Sequence, residues 1–324
     1  MAPTLSVVLP VFNEEEVLPA LLERLRVLLE ALKVSTEVIF VDDGSADGSL
    51  QLLKDAAHAD PRLRVLSLSR NFGHQPAISA GLDHALGEAV VVMDADLQDP
   101  PEVVLELVAR WGEGFDVVHA RRRRREHDSA FKALTARIFY RLFASIVPIP
   151  TVPDSGDFRL MSRRVVLAMR GLEETHRFLR GLVAWVGFRQ TVVEYDRPER
   201  GGGVTKFSVG KMARFAMDGI TSFSTVPLRI ATWLGVLVGL FSLAVAAWAL
   251  EEHFIRHVTI QGWTSLIIVV SLIAAAQFLL LGIVGSYVGR IYEQVKRRPL
   301  YIVAEETSAA ASTERERGPQ SIAR

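Results

Sequence analysis

Two stretches near the C-terminus, Ile230–Leu250 and Trp263–Val288, contain no Asp, Glu, Lys or Arg. A helix needs about 20 predominantly apolar residues to cross a bilayer, and each stretch is long enough. Everything before them reads as a soluble α/β domain, so the chain reads as a domain held against a membrane. Flanking charge gives an orientation. Lys206, Lys211, Arg214 and Arg229 precede the first stretch, and Arg290, Lys296, Arg297 and Arg298 follow the second. The connector Glu251–Gly262 has only Arg256 as a Lys or Arg. By the positive-inside rule both ends face the cytoplasm and the connector faces outward. Met1-Ala2-Pro3-Thr4 leads straight into an apolar strand without the pattern of a secretory signal. The expectation is a multi-pass protein of the inner (cytoplasmic) membrane, with its large domain and both termini in the cytoplasm.

The 324 residues leave room for one α/β domain of about 200 residues beside the membrane region. Formal net charge is zero but unevenly spread. Residues 1–115 carry 19 acidic and 8 basic side chains, and residues 116–324 carry 18 acidic and 29 basic. The acidic part suits a divalent cation, and the basic part suits phosphates or an anionic membrane face. With no Cys, disulfides and thiolate metal sites are excluded.

Short apolar runs predict strands at Ser6–Val11, Glu37–Val41, Arg64–Leu68 and Ala89–Met93. Between them, helices are expected from about Glu15 to Leu32, at Ser49–Ala59, at Gln75–Ala85 and at Pro101–Arg110, the last with Pro near its start. This alternation implies a mainly parallel sheet covered on both faces, which binds ligands at the carboxyl ends of its strands. Phe131, Leu134, Ile138, Leu142 and Ile146 recur at helical spacing among basic residues, the pattern of an interfacial helix. Met212, Phe215, Ala216 and Phe223 form a second such stripe. The expected organisation is a catalytic domain at 1–203, a juxtamembrane segment at 204–228, two membrane helices within 229–290, and a tail at 291–324 that is polar and disordered from about 305.

Asp94-Ala95-Asp96 ends the fourth predicted strand. Two carboxylates one residue apart can hold Mg²⁺ or Mn²⁺ through oxygen, with Gln98 or Asp99 adding a ligand or a supporting bond. Such a cation would neutralise a departing diphosphate. The plainer reading is a solvated acidic turn. Pro10-Val11-Phe12-Asn13-Glu14-Glu15 joins the first strand to a helix, where backbone can cradle a base or ribose, or where Asn13 is simply an N-cap. Asp42-Asp43-Gly44-Ser45 offers carboxylates to a nucleoside, or is only an Asp-Gly turn. The run Arg121–Arg125 suits a lipid phosphate through bidentate contacts better than it suits nucleic acid, because it lacks interleaved aromatics. Arg200 and Lys206, in a Gly-rich loop, can close over a diphosphate or merely link domain to membrane. Asp157 stands just before a later strand and can sit near the reacting centre, or serve a turn. His74 reads as a satisfied loop histidine.

Taken in order, VVLPVFNEEE, VDDGSADGS, LSRNFGHQPAISAGLDHA, VVMDADLQDPPE, DSGDFRLMSRR and RxxGxTKFS resemble the polyprenyl-phosphate glycosyltransferases of glycosyltransferase family 2. The resemblance covers about residues 4–300. It implies a GT-A fold (Rossmann-like α/β) and inverting, metal-dependent transfer from a nucleotide-sugar to polyprenyl phosphate. By the same resemblance Pro10, Val11, Asn13, Glu15, Asp42 and Asp43 hold the nucleoside. Asp94, Ala95, Asp96 and Gln98 match the metal and diphosphate positions, and Asp157 matches the acid usually proposed as catalytic. Arg200 and Lys206 match a phosphate clamp, and Arg121, Arg125 and Ser129 fall where the acceptor phosphate is expected. Thr205 stands where Ser is more usual. The resemblance favours glucose from a uridine donor, with mannose, N-acetylglucosamine and aminoarabinose open.

A phosphate acceptor is already a nucleophile, so Asp157 is expected to orient groups or support charge rather than remove a proton. A diacylglycerol-type alcohol acceptor would instead need it as a base. A catalytically silent adaptor and a channel subunit are the competing classes. Gly282 and Gly285 can serve span packing within or between chains, allowing a homo-oligomer.

Overall fold

The computed structural model describes residues 3–123, 155–175, 177–196, 226–254 and 262–308. They divide into an α/β unit, to which residues 299–308 return, and a helical unit containing 226–254 and 262–298.

The α/β unit is one eight-stranded sheet. Its strands are β1 (Leu5–Val11), β2 (Thr36–Asp42), β3 (Leu63–Leu68), β4 (Ala89–Val92), β5 (Val117–Arg122), β6 (Ser155–Ser162), β7 (Gln190–Tyr195) and β8 (Val303–Ser308). The spatial order is β7-β5-β6-β4-β1-β2-β3-β8. β1 runs parallel to β2 and β4, β2 to β3, and β5 to β7, while β6 and β8 are antiparallel to their neighbours. The sheet is thus a mostly parallel, GT-A-like mixed sheet. Its central strands read as unbroken apolar runs because both faces are covered, and all seven residues of β1 are buried. Helices α1 (Leu18–Ala31), α2 (Ser49–Ala59), α3 (His74–His84), α4 (Val103–Gly112), α5 (Arg163–Arg170) and α6 (Leu179–Trp185) complete the unit. α3 comes so close to β1 that a Cβ on Gly81 would lie 2.2 Å from Val8 Cγ1.

The expectation of disorder from about residue 305 is corrected here. Val303–Ser308 is β8, antiparallel to β3. Its polar residues are partnered: Arg64 Nη2 lies 2.7 Å from Glu306 Oε1 and Lys54 Nζ 2.6 Å from Glu305 Oε2. Arg64 also reaches Glu37, so the strand closes an edge that β3 would otherwise expose.

The helical unit contains α7 (Val226–Phe254) and α8 (Trp263–Val295). Val226–Val245 and Leu272–Val295 are each long and apolar enough to cross a membrane. Trp233, Leu237, Leu243, Leu272 and Phe278 on them are exposed, an apolar surface that water disfavours.

Candidate active site

The first two parallel strands end in loops stitched to each other. Asn13 takes a positive φ of 55° and its backbone N–H donates to Ser45 Oγ. Its side-chain oxygen accepts from Ala46 N, and Glu15 Oε2 accepts from Gly48 N at 2.8 Å. α1 begins only at Leu18, so Asn13 is not its cap. Gly44 has φ 69°, and a Cβ there would sit 2.6 Å from the Arg70 carbonyl carbon, which restricts this turn of the Asp-Asp-Gly-Ser motif to glycine. Asp43 accepts from the backbone N–H groups of Phe72 (2.7 Å) and Gly73 (2.9 Å), fixing the loop that opens α3. Burial nonetheless pushes its pKa up. Asp42 keeps Oδ2 buried and without a partner.

Pro10 determines where β4 leaves the sheet. β1–β4 pairing ends at Val8–Val92, with Met93 N donating to Val8 O. Proline has no N–H to continue a ladder, so the chain peels away and carries Asp94–Asp99 over the strand ends. Asp96 Oδ1 accepts from Gln98 N at 3.0 Å. Asp94 Oδ1 and Gln98 Oε1 are buried with no hydrogen-bond partner. Burial pushes Asp94 up to about 6, against the nearby His74 and with help from Asp99, Asp157 and Asp96. Glu14 is also raised, by burial and then by Asp96, Asp47 and Asp94, so it belongs to the same acidic rim. Asp99 is fully buried; the Tyr195 hydroxyl donates to its Oδ1, and Arg122 Nη2 donates to the same oxygen at 3.1 Å.

Asp157, near the start of β6, is the most heavily engaged group. Arg180 Nε donates to Oδ1 at 3.0 Å and Nη2 to Oδ2 at 3.2 Å. Gln75 Nε2 donates to Oδ2 at 3.3 Å, and the fully buried Arg159 lies 3.4 Å from Oδ1. His74 Nε2 lies 3.3 Å from Asp157 Oδ2 and 3.6 Å from Asp94 Oδ1, bridging the two acids. Burial alone would raise the Asp157 pKa, but the His74 hydrogen bond and the Arg180 and Arg159 charges outweigh it and hold the carboxyl far below its usual range. His74 is raised despite burial, through Asp157 and Asp94. Arg159 is lowered to about 10 by complete burial.

Among the described residues no three His, Cys, Asp or Glu side chains converge to hold a metal ion by themselves. The set that is present, with buried unpartnered oxygens on Asp94 and Gln98 beside Asp96, suits a hard cation that completes its shell with water and substrate phosphate.

The structure therefore brings Asp94, Asp96, Gln98 and Asp157 to one rim, with Ala95 buried beneath it. It commits the side chains of Asn13, Glu15 and Asp43 to holding loops. Pro10 and Val11 are buried in β1, paired with Val41 and Asp42. Arg121 forms an ion pair with Glu194, whereas its neighbour Arg122 turns to Asp99. Arg125, Ser129, Arg200, Lys206 and both amphipathic stretches lie outside the described residues. Sequence reasoning passed over Arg180 and Gln75, and it set His74 aside as a satisfied loop residue; the structure places His74 between Asp94 and Asp157. A signal for His74 existed, since Gly73-His74-Gln75 opens a helix at a strand's carboxyl end. Arg180 gave none.

Residues 6–169 match the model of a family described as Glycosyl transferase family 2. A Bacillus subtilis relative named Uncharacterized glycosyltransferase YkcC is 47% identical over 298 residues, 92% of each chain. The SfII prophage-derived bactoprenol glucosyl transferase of Shigella flexneri is 42% identical over 92% of this chain and 97% of its own. A prophage bactoprenol glucosyl transferase homolog of Escherichia coli is 40% identical over 92% of this chain and 98% of its own.

Proposed function

The chain belongs to glycosyl transferase family 2, and from that premise we propose that it moves glucose from a uridine-diphosphate donor to a polyprenyl phosphate at the cytoplasmic leaflet, inverting the anomeric carbon. One observation carries the acceptor class. Relatives named bactoprenol glucosyl transferase align over 92% of the chain. The unaligned remainder is shorter than either α7, at 29 residues, or α8, at 33, so the likeness includes the apolar helices as well as the α/β unit. A polyprenyl tail stays in the bilayer, and a protein anchored by two spans meets it there, with the termini inside.

In this reading the base and ribose lie over the β1 and β2 ends, where Asp42 Oδ2 awaits a donor. Mg²⁺ or Mn²⁺ held by Asp94, Asp96 and Gln98 would supply charge neutralisation for the leaving diphosphate. The protein's own groups do the rest. Arg180, His74 and Arg159 hold Asp157 as a fixed anion, which supports positive charge developing at the sugar. Arg122, Arg200 and Lys206 bring cations to a site where two anions meet. The acceptor phosphate has a second pKa of about 6 and arrives largely dianionic, so it needs no base. A carboxylate held far below its usual range is a poor base, which disfavours an alcohol acceptor.

The test incubates the purified protein with undecaprenyl phosphate, Mg²⁺ or Mn²⁺ and a panel of labelled nucleotide-sugars. A labelled lipid that mild acid cleaves is expected with UDP-glucose; label on diacylglycerol, or none on any lipid, overturns the proposal. Asp157→Asn should lower turnover and leave the acid side of the pH–rate profile in place. Loss of that limb would make Asp157 the base.

A further inference from the structure

The loop that carries Asp94, Asp96 and Gln98 is held in a conformation it would not adopt alone. Leu97 takes φ 58°. Left-handed backbone is costly for a residue with a β-carbon, and it persists where the surroundings fix it. Three of the fixed points are local. Met93 N donates to Val8 O, Asp96 Oδ1 accepts from Gln98 N, and the Leu97 side chain packs on the core. The fourth is Asp99, and its partners come from far along the chain.

Asp99 is fully buried, whereas Asp94, Asp96 and Gln98 each keep some exposed surface, so it stands behind those three rather than among them. Its Oδ1 accepts from the Tyr195 hydroxyl and from Arg122 Nη2, and its Oδ2 has no partner, so the carboxylate depends on those two donors. Arg122 and Tyr195 end neighbouring strands, opposite each other in the β5–β7 pairing. Arg122 Nε donates to Tyr195 Oη at 3.0 Å, so the hydroxyl accepts from the arginine and turns its own proton to Asp99. The Tyr195 ring meets Phe158 edge-on, with centroids 5.8 Å apart, which fixes where the hydroxyl points. Pro100 and Pro101 follow Asp99. Proline stiffens the chain beyond that residue, so a shift of Asp99 passes back toward Gln98 and Asp96 instead of being absorbed beyond it. The same two strand ends are also joined by ion pairs of Arg121 with Glu194 and of Arg123 with Asp196. Among the described residues no bond ties those pairs to the loop.

We propose that Asp99 and Tyr195 are positioning residues for the divalent cation: the buried triad they form with Arg122 pins the loop that presents Asp94, Asp96 and Gln98. The assignment rests on the metal-dependent reading above. It gives the end of β7 a second task besides closing the sheet, and it explains why one arginine of the basic run turns inward.

The experiment uses the full chain in detergent and measures Mn²⁺ binding directly, through loss of the free-ion electron paramagnetic resonance signal, first with Mn²⁺ alone and then with UDP. Tyr195→Phe removes the hydroxyl and keeps the ring against Phe158. It is expected to weaken Mn²⁺ binding roughly tenfold, the scale of one hydrogen bond to a charged group. Saturating Mn²⁺ should return most of its turnover and should not rescue Asp157→Asn. Asp99→Asn keeps the shape of the side chain and carries the test if Tyr195→Phe does not fold; it should weaken Mn²⁺ binding at least as much. Glu194→Gln breaks an ion pair at the same strand end and should leave Mn²⁺ affinity unchanged. A lower Tm with unchanged Mn²⁺ affinity in both Tyr195→Phe and Asp99→Asn would make the triad a stabiliser of the fold alone and overturn the assignment. An equal loss of affinity in Glu194→Gln would overturn it too. A wild type that binds Mn²⁺ neither alone nor with UDP overturns the metal-dependent reading itself, and does so without any variant.

Discussion

Asp94→Asn should make the ligand-free protein more stable while ending its catalysis. Burial raises the Asp94 carboxyl from an ordinary 3.8 to about 6. A group that binds protons more tightly in the folded state than in the unfolded one destabilises the fold wherever it must ionise, so native stability grows as pH falls through 6 toward 3.8. At about 1.4 kcal/mol per pH unit, the cost above pH 6 is at most about 3 kcal/mol. Asn removes that cost and keeps the shape. For a unit of about 200 residues, each kcal/mol moves Tm by roughly 2–4 °C, so the variant should melt up to roughly 10 °C higher at pH 7.5 in EDTA. The two proteins should converge near pH 4, where both side chains are neutral. Tryptophan fluorescence melts in detergent measure this, and Mn²⁺ titrations add the functional half. A divalent ion needs the ionised carboxylate, of which about one-tenth remains at pH 5, so wild-type Mn²⁺ affinity should fall about tenfold between pH 7 and pH 5. A variant that melts lower than wild type at pH 7.5, or an Mn²⁺ affinity flat across that range, refutes the reasoning.

Three further perturbations probe other parts of the structure. Arg180→Met removes both guanidinium bonds to Asp157 and should lower turnover roughly 10- to 100-fold with donor binding intact, and Arg180→Lys should recover only part because it lacks the fork; steady-state kinetics and donor titration separate the two. Gly81→Ala drives a methyl into Val8 and should cost about 1–3 kcal/mol in chemical denaturation, most of it recovered when Val8→Ala is added. Ending the chain after Ile302 uncovers β3, removes Glu305 from Lys54 and leaves Arg64 with Glu37 but without Glu306; a lower Tm and concentration-dependent light scattering are expected, and an unchanged Tm would mean that β8 only decorates the edge.

The strands that build the floor of the site were legible because they are buried on both faces. Predicted and observed limits of β1 to β4 agree within one residue, since an apolar run stops where burial stops. β8 was illegible for the opposite reason. Val-Ala-Glu-Glu-Thr-Ser has the composition of a tail, and only the bare edge of β3 and the cations Arg64 and Lys54, some 240 residues earlier, make it a strand. The acidic motifs were legible as a site, but the roles within them were not. Asn13, Glu15 and Asp43 hold neighbouring loops, which requires knowing that the β1, β2 and β3 ends adjoin. One signal in the arginine run was available. Successive strand residues face opposite sides, so Arg121 and Arg122 could not both meet the same partner, and the structure sends one to Glu194 and the other to Asp99.

The two acids on either side of His74 make the case for a phosphate acceptor from electrostatics alone. Two carboxyls pushed in opposite directions ordinarily mark an acid and a base. Here the raised one, Asp94, owes its shift first to burial, and a bound cation reverses that by favouring the ionised form. The lowered one, Asp157, is held by two guanidiniums and an imidazole. His74 is raised by the same acids despite its burial, so it holds a proton more firmly than a free imidazole does. With the donor and its cation in place, neither carboxylate is suited to take a proton. A hydroxyl acceptor would stall in such a cluster, whereas a phosphate monoester brings its own negative charge and asks only for cations to seat it. The arrangement therefore selects its acceptor by what it declines to supply.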